Sequence, residues 1–582
     1  MQDLGARQLA VTARSLRTTL AGVPFPFERS DVGTARSDTA GALRQLDDHV
    51  LPRLDHLDAP ALVVVGGSTG SGKSLLVNSL LEMNVSRSGV LRPTTTSPLL
   101  AFHPASEAWF QAGRILPSLA RVTTGDAHGH SEIRLVSTEA IPTTVALLDA
   151  PDIDSISTEN RELAAQLLDT ADLWVFVTTA ARYADAVPWG FLTQAERRGT
   201  PLVVVMNRVP VGYGDEVGEH LRAMLVSNGL GDVEIFVFEE QLLVDDRLPL
   251  AAVTQLRSWV DRLGSDHVAR AEAVRRSLTG AVAELGERTH RIADSVDTQI
   301  GTADLFRAVV VGNYDQARRQ VGDDISQGAV LKGEVLSRWE EVIGTGELMR
   351  QLRTGLGRLR DRVSGAFTGK RSGDERLHGA IEHVAETLIR TRGDKAVDDI
   401  VSAWKSQPAG AQLLAAASPE LSRSAPDLAE RSGRVVRDWQ AGLVELVREM
   451  GGDKRTTARV LSLGVNGVAM VVMMVVFSHT GGLTGAEVAV AGGAGAVGHT
   501  LLEALLGDQA IRTLADKART GLDALVSKLY DEEAARFLAV LDAVHFQRNY
   551  LLSFAVFRPN SLAKHERPDP RGRRATGPPQ RA

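Results

Sequence analysis

Three glycines, Gly67, Gly70 and Gly72, are interleaved with Ser68, Thr69 and Ser71 and run directly into Lys73, Ser74 and Leu75. The apolar run Leu62–Val65 stands before them, and Leu75, Leu76 and Val77 follow. Glycines let successive backbone N–H groups converge on one concavity, and a helix opening at Ser74 aims its positive dipole end at the same place. A polyoxygen anion fits there. In the spacing GxxxxGK[ST], the lysine reaches the β- and γ-phosphates of a nucleoside triphosphate and the Ser74 hydroxyl ligates Mg2+. A plain Gly/Ser turn would need neither the strand before it nor the helix after it, so the segment predicts strand, phosphate loop and helix.

Such a loop works only when a scaffold holds it. From Leu62 to about Phe238, the β-rich runs Leu62–Val65, Leu99–Phe102, Val145–Leu148, Leu173–Val177, Leu202–Met206 and Val233–Phe238 alternate with helical patterns. This alternation predicts a mostly parallel sheet with helices on both faces. Three further segments fall beside those strands. Arg92, Pro93, Thr94, Thr95 and Thr96 precede the second run, where a threonine hydroxyl and the backbone could reach Mg2+ and the γ-phosphate. Asp149 ends a strand with a carboxylate, the position from which an acid holds Mg2+ through water, and Asp152 follows in the same segment. Asn207 and Arg208 end another strand with an amide that could read a base.

In order and spacing these segments resemble those of dynamin-like and Era-like GTPases, whose motifs are GxxxxGKS, a first-switch threonine, DxxG and NKxD. RPTTT before the second strand, with an apolar hairpin after a helical stalk, looks like a bacterial dynamin-like protein. The motif resemblance covers about residues 60–240, and the stalk-and-hairpin plan extends it more loosely toward 550. It implies an α/β P-loop GTPase domain followed by an all-α stalk with a membrane-inserted helical hairpin. It implies GTP and Mg2+ as cofactors, with ATP as the alternative nucleotide. Catalysis would rest on Lys73, Ser74, Thr95, Thr96 and Asp149; nucleotide contact on residues 67–75 with Asp152, Asn207 and Arg208; and the metal on Ser74, Thr96 and Asp149. The implied partners are a lipid membrane and a second copy or a related GTPase.

The departures from those motifs are as specific as the matches. Asp152 stands where the family has a glycine whose N–H meets the γ-phosphate, and its carboxylate is repelled by phosphate unless Mg2+ or water intervenes. Ile153 stands where Ras-like enzymes carry a water-orienting glutamine. Asn207-Arg208-Val209-Pro210 keeps the asparagine but puts proline where the guanine-reading aspartate belongs. Without that acceptor, base discrimination worth a few kcal/mol disappears, unless Glu239 or Glu240 replaces it.

At 582 residues the chain is too long for one core. With 65 Lys+Arg against 72 Asp+Glu it offers no chain-wide positive field, so a nucleic-acid partner is not expected. It has no cysteine, which excludes thiol chemistry and disulfides and suits a reducing cytosol, and Met1 to Leu20 carry no apolar signal core.

From Val460 to Phe477 about eighteen residues run without a charge, and a weaker apolar stretch continues from about Ala486 to Leu506. The small pairs Ala491/Gly495 and Ala494/Gly498 would let two helices approach closely. Lys454, Arg455 and Arg459 before it, and Arg512, Lys517 and Arg519 after it, place both ends in the cytosol by the positive-inside rule. A buried hairpin in a soluble domain is the competing reading.

The expected segments are N-terminal helices packing on stalk or nucleotide domain at 1–58, the nucleotide domain at 59–265 and the stalk at 266–458. The hairpin follows at 459–507, further stalk helices at 508–557 and a disordered basic tail at 558–582. The expected location is the cytoplasmic membrane, with the nucleotide domain and both termini in the cytoplasm.

In the stalk, Leu348, Leu352, Leu356, Leu359, Val363 and Phe367 recur at helical spacing, with breaks expected at 368–374, 407–410 and near Pro419 and Pro426. An ABC-type ATPase would need an LSGGQ-like signature and a glutamate at Ala150, and a small-molecule kinase would need an Arg-rich lid. The chain shows neither. Asp126, His128 and His130 read either as a metal cluster or as a polar hairpin turn. Arg182–Asp185 reads either as a surface loop or as a contact for a second nucleotide domain.

Overall fold

The structure is a computed structural model that describes residues 2–86, 97–125, 127, 129–326, 371–450 and 508–543. These residues form two compact units, one built on Met1–Phe25 and Asp31–Asp297, the other on Pro26–Ser30 and Thr298–Phe546.

The first unit is a doubly wound α/β layer. Its strands are β1 (Ala61–Gly67), β2 (Leu99–Phe102), β3 (Ala120–Val122), β4 (Glu132–Ser137), β5 (Val145–Asp149), β6 (Leu173–Thr179), β7 (Leu202–Val209) and β8 (Glu234–Glu239). They form one sheet in the order β3-β4-β2-β5-β1-β6-β7-β8. Every neighbouring pair is parallel except β2 and β5, so β2, β3 and β4 run against the rest. The central strands β1, β5 and β6 are buried at every position, which is why they read as continuous apolar runs rather than as alternation. Leu62 and Val64 enter one core, with Leu163 and Leu167 of helix Thr158–Asp169 and Leu192 of helix Ala186–Arg198. Val63 and Val65 enter the other, with Leu76 and Leu80 of helix Lys73–Leu81 and Val253 and Leu256 of helix Leu250–Ser265. Two helix layers therefore fix β1 from both sides, and the loop that leaves its C-terminal end starts from a rigid base.

Two strands escape the sequence reading. β3 is three residues long, and β4 alternates Ile133 and Leu135 inward with Glu132 and Arg134 less buried, an edge pattern without a strong apolar run. Because β3 and β4 are parallel, the segment between them is not a hairpin turn. Asp126 and His128 lie outside the described residues, and among those described no cluster of His, Asp and Glu suits a metal.

The N-terminal segment forms helices Gln2–Ala21 and Val32–Gln45, with Leu16 and Leu20 buried in the first, and Leu46 and Val50 buried in the helical turn that follows the second. Arg53 makes a buried ion pair with Asp172, and Asp172 Oδ2 also accepts from Leu62 N at 2.7 Å, pinning the start of β1. The long helix His267–Ser326 passes so close to the end of helix Ala186–Arg198 that a Cβ on Gly280 would collide with the Arg198 carbonyl.

Among its described residues the second unit contains helices and the turns that join them, with no strand. Its core contains Phe306, Trp404, Trp439, Tyr530 and Phe537. Phe27 joins that core, its backbone N–H and C=O both bonded to the Gln299 amide at 3.0 and 2.9 Å. Helices Arg371–Lys405 and Pro408–Ala416 break around Gln407, where Pro408 cannot continue the preceding helix; of the break expected at 368–374, residues 371–374 are helical and 368–370 lie outside the described residues. The leucine stripe 348–367 and the proposed hairpin 459–507 lie outside the described residues, as does the tail 558–582. Among the described residues no helix is long and apolar enough to cross a membrane.

Candidate nucleotide site

The C-terminal end of β1 passes through residues 67–72 into helix Lys73–Leu81, as the glycine spacing predicts. Gly67 and Gly72 both require their residue type: φ is 148° and 91°, and a Cβ would collide with the Val177 carbonyl at the first and the Asn207 amide at the second. Asn207, at the end of β7, donates from Nδ2 to Ser71 O at 2.8 Å and accepts from Arg208 N at 2.9 Å. Its side chain thus fastens the loop, and Arg208 itself is exposed.

Lys73 is 4% exposed. Its ammonium donates to Gly67 O at 3.0 Å, to Ser68 O at 3.1 Å and to Asp152 Oδ1 in a buried ion pair. Ser74 Oγ donates to Asp149 Oδ2 at 2.7 Å, so the expected metal pair stands together. Asp149 is fully buried, and burial pushes its carboxyl up against the Ser86 and Ser74 hydroxyls and the Lys73 ammonium, which favour the charged form. Its Oδ1, together with Ser68 Oγ and Ser71 Oγ, is buried without a hydrogen-bond partner among the described residues. Buried polar atoms normally find partners, and this carboxylate oxygen beside a serine hydroxyl is a donor set suited to Mg2+. Leu75 packs its side chain on the sheet core, and Thr95 and Thr96 lie outside the described residues.

Three participants were not singled out from sequence. Ser86 donates to Asp149 Oδ2 at 2.7 Å alongside Ser74. Asn78, one turn beyond Lys73, holds Ser86 in place by accepting from Val85 N and Ser86 N at 3.0 and 2.8 Å and donating to Ser86 O at 2.7 Å. An asparagine inside the apolar run of this helix was the available signal. Asp154 Oδ1 accepts from Thr69 N at 2.6 Å and from Thr69 Oγ1 at 2.7 Å, and Asp154 pairs with Arg182 at 2.8 Å. Burial alone would raise the Asp154 carboxyl, but the Thr69 hydroxyl and amide and the Arg182 guanidinium together hold it below the usual carboxylate range. Arg182 also donates to Thr69 O at 3.2 Å, so the Arg182–Asp185 loop leans on the phosphate loop of its own chain.

At the expected base-reading corner, Glu239 Oε1 accepts from Gly212 N at 2.9 Å and Gly214 N at 3.3 Å, bracing the loop after β7. Its role in the fold is therefore to hold that loop.

Strand, glycine loop and helix define a P-loop α/β fold for the first unit. No family model matches the sequence, and no curated protein matches it. Among solved structures, the chain is similar to a tyrosine variant of Aquifex aeolicus Era bound to GDP and AlF4−, at 17% identity over 36% of this chain and 56% of that one, with a TM-score of 0.23. The chain thus spans little more than half the length of that structure. It is also similar to a chain of an oligomerised bacterial dynamin pair described as sensing and tethering membranes, at 9% identity over 90% of this chain and 96% of that one, with a TM-score of 0.34. A second such dynamin structure aligns at 11% identity over 72% and 79%, with a TM-score of 0.27. Likeness at this level leaves the chemistry to be argued from the residues.

Proposed function

We propose that the chain is a dynamin-like membrane GTPase that binds and hydrolyses GTP with Mg2+ and couples pairing of its nucleotide domains to membrane remodelling or maintenance. The observation that carries the nucleotide part is the convergence on one loop of a buried lysine, a Ser74–Asp149 pair and orphaned buried oxygens on Ser68, Ser71 and Asp149. Desolvated hydroxyls and carboxylates of this kind cost stability unless a ligand completes them, and a polyphosphate with its cation would do so. Lys73 would neutralise phosphate oxygens, Ser74 and Asp149 would hold Mg2+, and bound Mg2+ would offset charge on the phosphates.

The membrane part rests on the apolar stretches within 459–507 and their basic flanks, from which we read a location at the cytoplasmic membrane with both ends in the cytoplasm. A helical stalk between that anchor and the nucleotide domain would carry the loop rearrangement to the lipid. Pairing would occur with a second copy or a related GTPase, and nucleic acid is not a partner. Pro210 at the base-reading position makes ATP the alternative nucleotide. A scaffold that binds nucleotide with little hydrolysis is the second reading, favoured by the carboxylate of Asp152 on Lys73.

Steady-state phosphate release by the full chain, with and without anionic vesicles, tests the proposal. Turnover that rises with vesicles and falls about 100-fold in Lys73→Ala supports the enzyme. Binding without turnover supports the scaffold, and turnover unaffected by Lys73→Ala contradicts both.

A further inference from the structure

A lysine ammonium has three N–H donors and no acceptor. In Lys73 two of them are committed to the loop's own carbonyls, on Gly67 and Ser68, and the third goes to Asp152. Lys73 and Asp152 are 4% and 7% exposed, so water screens their attraction little. A γ-phosphate oxygen seeking the lysine must therefore take the one donor that Asp152 holds.

We propose that Asp152 acts as a built-in stand-in for a terminal phosphate and sets the site's choice between nucleoside diphosphates and triphosphates. This rests on the phosphate-loop reading above and deepens it. A diphosphate can seat its β-phosphate on the backbone N–H groups of the glycine loop and the N-terminus of helix Lys73–Leu81, with the lysine charge close by, while Asp152 keeps the third lysine donor. A triphosphate displaces Asp152, whose carboxylate then lies next to phosphate oxygens of the same sign. The chain as it stands favours the diphosphate, and Asp152 is a specificity-determining residue rather than a catalytic one. Loss of its charge removes the competitor without touching the loop.

Affinities of the full chain for Mg2+ with GDP, and for Mg2+ with a non-hydrolysable GTP analogue, decide the matter when compared in the wild type, Asp152→Asn and Asp152→Gly. The wild type is expected to bind GDP about tenfold more tightly than the analogue, and both variants to bring the ratio to about one or below by gaining affinity for the analogue. Asp152→Asn keeps the shape and Asp152→Gly removes the side chain, so a fold defect in one does not decide the result. If all three proteins bind both nucleotides with an unchanged ratio, Asp152 has no such role and the phosphate loop stands. If no protein binds either nucleotide, the phosphate-loop reading falls and takes this inference with it.

Discussion

A buried ammonium persists only where acceptors surround it, and Lys73 has two carbonyls and a carboxylate in place before any ligand arrives. Titratable groups far from the loop are equally constrained. Burial holds the His49 imidazole neutral, its pKa lowered to about 3 beside Arg53 and Arg198, with Ser277 Oγ at 3.3 Å. Nearby, burial pushes the Asp48 carboxyl up to about 6, against the hydrogen bond from Gln166. For His49, the unfolded chain takes up a proton that the folded chain refuses, so stability rises with pH from about 3 to roughly 6.5. Asp48 acts oppositely between roughly 4 and 6, where the folded chain holds a proton that the unfolded chain has released. Urea midpoints measured across this range should fall on acidification, and His49→Gln should flatten the fall by on the order of a few kcal/mol. An unchanged profile would mean that His49 protonates in the fold. Lys73, Ser74 and Asp149 were legible in the sequence because each occupies a fixed place in a spaced motif. The Lys73–Asp152 pair was not, because it joins residues 79 positions apart, and only the β1–β5 register brings their strand ends together.

At the scale of elements, sequence legibility followed burial. Strands covered on both faces announced themselves as apolar runs, whereas β3 and β4 carry weaker patterns and were missed. The antiparallel contact between β2 and β5 was equally hidden, since strand direction depends on connections that composition does not report. Close approach between elements leaves a subtler trace. Gly280 lies in the interior of a long helix, where glycine costs about 1 kcal/mol relative to alanine, and its reason is the Arg198 carbonyl against which it packs. Gly280→Ala should therefore destabilise the first unit by about 1–3 kcal/mol despite the gain in helix propensity, read as a lower urea midpoint. A rise in the midpoint would show that the helix can move away. Asn78 makes the same point for the site: one side chain on the helix after the loop fixes Ser86, and through it the second hydroxyl on Asp149.

At the scale of the whole molecule, the described residues form two compact units, each with its own core. A water-facing α/β layer carries the phosphate loop, a helical unit gathers its own aromatic core, and the charge-free stretch Val460–Phe477 suits lipid. The proposed coupling of nucleotide to membrane requires first that the loop around Lys73 take polyphosphate. Equilibrium titration of the purified full chain with fluorescent GTP, ATP and GDP in Mg2+, alongside Lys73→Ala, tests that requirement most directly. Saturable binding that weakens about 100-fold in Lys73→Ala is the predicted result. Equal affinity of the wild type and Lys73→Ala for every nucleotide would contradict it.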